Sequence, residues 1–273
     1  KKEKWKPYLD YVLKEQEWLK EHQEQELKEI RSKDGLTLRA AYIPRENAKG
    51  TIICMHGYHS TNNIEFVPEV RFLWNLGYSI LLPWQRSHGK SEGRYITYGV
   101  KERHDLKRWI LYTNRHLAAK NKDIFLCGIS MGCATTLMAA GLDLPDNVKG
   151  IIADCGFTSP WDIIKHVAKE RFHLPPFPLM YMVDLISEVV AGFGLKEVSI
   201  PEIMKRNKIP VLFIHGDADD YVPMWMTIKN YEACAAPKEL YIVSGAGHAL
   251  AFSKDMEEGK RRIKNFIDKY KTI

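Results

Sequence analysis

Long apolar runs are missing from this chain of 273 residues. No stretch approaches the roughly 20 residues that a membrane-crossing helix needs, and no segment has the order of a signal peptide. Cysteine is scarce and odd in number, five residues without a CxxC pair, which argues against a disulfide framework and against a zinc site. Cys54 and Cys127 stand inside apolar runs, where a free thiol behaves as a small buried hydrophobe. Reduced thiols favour a cytoplasmic location. The start at Lys1 instead of methionine leaves room for an upstream signal or anchor. Charge of one sign is not gathered anywhere: the net value is +6, yet Lys and Arg interleave with Asp and Glu, and the longest charged stretch, Lys254 to Arg262, is mixed. A nucleic-acid groove is therefore not expected. Repeats and low-complexity segments are absent as well, and nothing implies a metal or an organic cofactor.

What is present is enough apolar surface, 45% of residues, for one large core. Trp5, Leu9, Val12, Leu19, Leu27 and Ile30 recur at near-helical spacing, so Glu3 to Ile30 reads as a helix. Its polar face is too acidic for an anionic bilayer, and residues 1–30 are expected to pack on the body, leaving 31–273 as one catalytic domain. There, short apolar runs at Leu36 to Ile43, Thr51 to Met55, Tyr78 to Pro83, Ile124 to Cys127, Gly150 to Asp154, Val211 to His215 and Leu240 to Val243 alternate with helical stretches. The helices are expected near Glu65 to Leu76, Lys101 to Ala118, Met131 to Ala140, Met224 to Ala235 and Asp255 to Tyr270. Such alternation predicts an α/β fold, a mostly parallel sheet with helices on both faces. Residues 158–207 break the rhythm with Trp, Phe, Met and Pro, and read as a small helical cap inserted between two strands.

Gly128-Ile129-Ser130-Met131-Gly132 follows an apolar run and opens into small helix-forming residues. That is the context of a G-x-S-x-G nucleophile elbow, in which the flanking glycines relieve a tight strand-to-helix turn. Ser130 is then the candidate nucleophile. A serine hydroxyl needs a base titrating near neutrality, and His248, after the last apolar run, supplies an imidazole. The imidazole needs a carboxylate to fix its tautomer, which Asp219 in Gly216 to Pro223 supplies. The order Ser, Asp, His is the one such elbows use. An oxyanion hole would draw on the backbone N–H groups of Met131 and of Tyr58 in His56-Gly57-Tyr58, each worth about 3 kcal/mol to the transition state.

These residues, with Arg86 to Ser91 and Gly247-His248, make the chain from about Leu36 onward resemble the alpha/beta-hydrolase superfamily. Within it the chain is similar to bacterial serine hydrolases of the acyl esterase and serine aminopeptidase-like type. The resemblance implies that G-x-x-D-x-x-V-P places the acid at Asp219, not at Asp217 or Asp220, and that His56 supports the oxyanion loop. It also shows Trp84 where an aspartate is usual before Arg86.

Other residues invite weaker roles. Asp154 ends an apolar run and is a rival acid; His59 and His88 are expected near the mouth and exposed to solvent; Glu102 and Asp105 share a helix face and are expected to bond the Arg86 loop. Cys127 and Cys155 sit on no elbow and read as packing. Phe157, Trp161, Phe177, Met180 and Trp225 are candidates for an apolar substrate wall. The expected activity is hydrolysis of small to medium carboxylic esters through an acyl-enzyme, with an amidase or aminopeptidase-like activity as the alternative. Peptide selection would call on Glu170, Asp184 or Glu188. A non-catalytic ligand-binding protein of the same fold is the second alternative. The partner is a small ester or amide; oligomeric state is left open.

Overall fold

The computed structural model describes residues 2–23, 26–61, 65–117 and 122–272, with backbone alone for residues 2–9 and 23. Its strands are β1 Leu27–Arg31, β2 Thr37–Ile43, β3 Gly50–Met55, β4 Ser79–Pro83, β5 Asp123–Ile129, β6 Val148–Asp154, β7 Val211–Gly216 and β8 Lys238–Val243. They form one eight-stranded sheet in the order β1-β2-β4-β3-β5-β6-β7-β8. The pairs β1/β2 and β2/β4 are antiparallel, and every later pair is parallel.

Both faces of the sheet are covered, because successive strand residues point to opposite sides and both sets are apolar. In β3, Ile53 and Met55 enter one cluster while Ile52 and Cys54 enter the other. The first cluster is closed by α3 (Glu102–His116), α4 (Met131–Ala139), α7 (Ile200–Met204) and α8 (Met224–Ala233). The second is closed by α1 (Lys2–Gln23), α2 (Val67–Asn75) and α10 (Met256–Tyr270), with the single turn α9 (Ala251–Lys254) at its end. α1 lies on α2: the Tyr11 hydroxyl donates to Pro68 O at 2.8 Å, Trp18 meets Trp74 edge-on at 5.6 Å, and Leu19 is buried.

Between β6 and β7 the chain makes α5 (Pro160–Phe172), α6 (Leu179–Ile186) running into a π-helical turn at Ser187–Ala191, and then α7. Ser159 starts α5 by accepting the Asp162 N–H at 3.0 Å, and Pro160 presets its first turn. This insertion is tied down at its far end, where Lys101 Nζ donates to Ala191 O at 2.7 Å and Arg103 reaches Glu197 at 3.4 Å.

The helix expected through Ile30 stops at Gln23, and Leu27–Arg31 is a strand. Leu27 pairs with Ala41 and Arg31 with Thr37, across a tight turn whose Gly35 has φ 89°. The open antiparallel edge of β2 wins those residues; the two apolar positions Leu27 and Ile30 suit a helix face equally well in sequence alone. Trp5 and Leu9, read into the apolar face of that helix, and Ala118, read as a helix end, lie outside the described side chains. Among the described residues no helix is long and apolar enough to cross a membrane.

Candidate active site

The carboxyl ends of β3, β5, β6, β7 and β8 converge on one spot, as open parallel sheets favour for ligand sites. β5 delivers Ser130 at the entry to α4 with φ 55° and ψ −118°, a conformation rare outside glycine. It persists because the turn is fixed on both sides: the Ser130 N–H donates to Asp154 O at 2.9 Å, and Ser130 O accepts the Ala134 N–H at 3.0 Å. The close packing of the elbow forbids side chains at its glycines. A Cβ on Gly132 would stand 1.8 Å from Met55 O, and one on Gly128 2.4 Å from Gly132 O.

His248 Nε2 is 2.9 Å from Ser130 Oγ, and His248 Nδ1 is 2.8 Å from Asp219 Oδ2. Hydrogen bonds thus run without a gap from carboxylate to imidazole to hydroxyl. Asp219 Oδ1 accepts the backbone N–H groups of Tyr221 and Val222, both at 2.9 Å. Burial alone would raise this carboxyl, but hydrogen bonds from His215 and His248 hold it well below the usual carboxylate range. It stays ionised when the imidazole gains a proton. Asp217 instead accepts the Gly245 N–H, and the exposed Asp220 carboxylate lies 3.6 Å from Arg171.

The segment His56-Gly57-Tyr58 is clamped from below. Buried His56 places Nδ1 2.8 Å from Gly57 O, and its Nε2 accepts the Gln85 N–H at 3.0 Å, while the Gln85 side-chain amide donates to His56 O. Burial pushes His56 down to about 4, so the ring is neutral and its two nitrogens divide donor and acceptor roles. Its position is structural. Met131 is the first residue of α4, where a helix leaves its N–H groups unpaired. Among the described residues, neither the Met131 nor the Tyr58 N–H donates to a protein acceptor.

Asp154 lies at the end of β6 beside this row but makes no hydrogen bond to His248; its Oδ1 is buried without a partner among the described residues. Burial raises its carboxyl to about 6. His59 is exposed, as expected, whereas His88 is buried, contrary to expectation. Its Nδ1 lies 2.9 Å from Arg86 O and its Nε2 accepts the His59 N–H at 3.1 Å, which draws the ring under the loop. Asp105 bonds Arg86 in two places, at 2.6 and 2.8 Å. Glu102 instead accepts from Thr97 and Gly99, so only one of the two acids serves the Arg86 loop. Trp84 is buried against Gly89, and Asp34 gives Arg86 its second carboxylate at 2.8 Å.

The five apolar candidates do not form one wall. Phe157 and Met180 belong to the core, with Met180 at 0% exposure, while Phe177 is 75% exposed and Trp225 49%. Trp161 is half-buried under Lys196, whose Nζ stands 3.8 Å above its ring. Tyrosines ring the site instead: Tyr221 lies 5.1 Å from the His248 ring, and Tyr58 stacks on Tyr98 at 5.3 Å. Of the acids that could select a peptide terminus, Asp184 is taken up by the Leu195 N–H at 2.7 Å and Glu170 pairs with Lys169 at 3.3 Å.

Sequence reasoning passed over two residues. His215 shares its Nε2 hydrogen between Val222 O at 2.9 Å and Asp219 Oδ2 at 3.3 Å; the His-Gly-x-x-Asp spacing was the available signal. Glu65 accepts the Gly57 N–H, and nothing in the sequence around it marks that contact. Among the described residues, Cys155, Asp219 and His248 offer donor atoms within 4.8 Å of one another. They suit a metal poorly, since Asp219 and His248 are already bonded to each other and burial pushes the Cys155 thiol well up.

The chain is similar to protein YqkD of Bacillus subtilis, with 29% identity over 239 residues that cover 88% of this chain and 78% of that one. It is also similar to caffeoylshikimate esterase of Arabidopsis thaliana, 22% identical over 85% of this chain and 81% of the plant protein. The solved esterase Pf2001 of Pyrococcus furiosus superposes with a TM-score of 0.72 at 26% identity, covering 90% of this chain and 92% of that one. The fold is that of the alpha/beta hydrolases. Residues 92–272, which carry the Ser130 elbow, Asp219 and His248, match the prolyl oligopeptidase family, and the chain belongs to it.

Proposed function

We propose that this hydrolase is a serine esterase for small to medium carboxylic esters. The observation that carries the reading is the unbroken row from Asp219 through His248 to Ser130, at 2.8 and 2.9 Å. His248 Nε2 takes the hydroxyl proton as Ser130 Oγ attacks the ester carbonyl carbon, and the carbonyl electron pair moves onto oxygen. The Tyr58 and Met131 N–H groups receive that oxyanion. As the tetrahedral centre collapses, the imidazolium gives its proton to the departing alkoxide and an acyl-enzyme remains. Water then repeats the cycle, with His248 as base, and releases the acid. Ester cleavage is supported by the esterase relatives. The family match favours a second reading, amide or aminoacyl cleavage by the same groups. We further infer that 158–207 acts as a cap, with Arg171 of α5 holding its edge over the Tyr221 ring at 4.8 Å.

Hydrolysis of p-nitrophenyl esters from acetate to long acyl chains, beside an aminoacyl anilide, tests both readings. Ester turnover with a chain-length optimum is expected, and Ser130→Ala should lower kcat by roughly a thousandfold or more while the fold is retained. Anilide cleavage without ester cleavage selects the second reading. Undiminished turnover in the alanine variant, or binding of an apolar ligand with no fluorophosphonate adduct, removes Ser130 as nucleophile.

A further inference from the structure

Glu65 leads into α2 directly behind the site. Its Oε2 accepts the Gly57 N–H. Glu65 and Ser130 border the same space at Gly57: a Cβ placed there would stand 2.9 Å from Glu65 Oε1 and 3.2 Å from Ser130 Cβ. The carboxyl also feels the charge of His248, which favours its anion, and of Asp154, which opposes it. Holding a carboxyl in such a place is costly, and a neutral acceptor would satisfy the Gly57 N–H as well. The cost is offset whenever His248 is protonated, which in the proposed reaction is the tetrahedral stage.

We infer that Glu65 is a positioning residue and second acid of the site, fixing the Gly57-Tyr58 backbone through its hydrogen bond and stabilising the His248 imidazolium through space. The inference rests on the proposed roles of Ser130 and His248. Burial raises Glu65 to about 7, against the pull of the Gly57 N–H, so the carboxylate is available in the pH range where an imidazole is a working base. The ionisable groups facing it are Glu69 on α2, Asp154 at the end of β6, Cys155 just beyond, and His248 after β8. Burial raises the Glu69 carboxyl well above its ordinary value, and Asp219 is committed to His215 and His248, so Glu65, with Asp154, is left to answer a charge on His248.

The test is the pH dependence of kcat and KM for p-nitrophenyl acetate with wild type, Glu65→Gln and Glu65→Asp, with fluorophosphonate labelling of Ser130 followed in parallel. Glu65→Gln is expected to lower kcat roughly tenfold or more with KM little changed. It should also move the acid limb of kcat/KM to lower pH, because an imidazolium without its neighbouring anion loses its proton more easily. Glu65→Asp should restore part of kcat and the wild-type position of the limb. A glutamine variant with wild-type kcat and acid limb overturns the inference, as does a variant with lower melting temperature and lower rate but an unmoved limb. If the glutamine variant does not fold, the aspartate variant decides: a limb and rate equal to wild type, with the carboxylate drawn back by one methylene, overturn it. Wild type that neither turns over ester nor takes the label overturns the serine-esterase reading itself, whereas labelled wild type with unaltered variants overturns only the role of Glu65.

Discussion

Asp219 divides its two oxygens between separate tasks. Oδ1 holds the loop through the Tyr221 and Val222 N–H groups, and Oδ2 serves His248 with support from His215. An amide in its place would keep one face satisfied and present an NH₂ to the other. Asp219→Asn should therefore leave the melting temperature close to wild type while lowering kcat by roughly three to four orders of magnitude, since His248 would be driven into the wrong tautomer. Steady-state kinetics with thermal unfolding of the same sample checks both halves. At this scale the Ser, Asp and His were legible because each sits just after an apolar strand, where sequence order and chemistry coincide. Glu65 was not, because its contact with Gly57 is made only when the fold brings the two together, whereas for His215 the His-Gly-x-x-Asp spacing was a signal left unread. The apolar candidates divide for a related reason: composition marks Phe177 and Met180 alike, and only packing sends one outward and the other into the core.

Among the elements, the elbow between β5 and α4 tolerates the least change. Met55 O lies against Gly132, so Gly132→Ala forces the end of β3, and with it the His56 to Tyr58 segment, away from Ser130. A destabilisation of about 3 kcal/mol or outright failure to fold is expected, read by thermal unfolding and by loss of fluorophosphonate labelling. An alanine variant with wild-type melting and labelling would contradict the close approach. Strands buried on both faces, such as β5 and β7, were readable as short apolar runs. β1 was not: an edge strand with residues alternately exposed and half-buried carries too little pattern to separate it from the preceding helix, and the Asp34-Gly35 turn after it was the better marker.

Over the whole molecule, buried carboxyls set how stability varies with pH. Burial raises Asp154 to about 6 and Glu65 to about 7, so the folded chain retains protons that the unfolded chain has already released. Stability contributed by these protons is present at mildly acid pH and falls as pH rises through those values. Asp219 acts in the opposite sense: its contribution is present above the ordinary carboxylate value and is lost as pH falls below it. Melting should accordingly be highest near about pH 4 and lower at about pH 8. Asp154→Asn, which cannot ionise, should recover about 2 kcal/mol at the higher pH and little at the lower, as scanning calorimetry at both would record. Wild type that melts higher at the alkaline end would refute this balance. The proposed reaction needs a neutral His248, so the pH of fastest turnover is expected above the pH of greatest stability.

All five thiols are free and buried, and they are spread over β3, β5, α4, the turn after β6 and the end of α8. A thiol reagent added to the native protein meets no reactive sulfur until some part of the body opens. The speed at which each cysteine is modified then reports how often its own region breathes, so the chain carries a built-in clock for local unfolding at five addresses, readable by mass spectrometry without a single mutation.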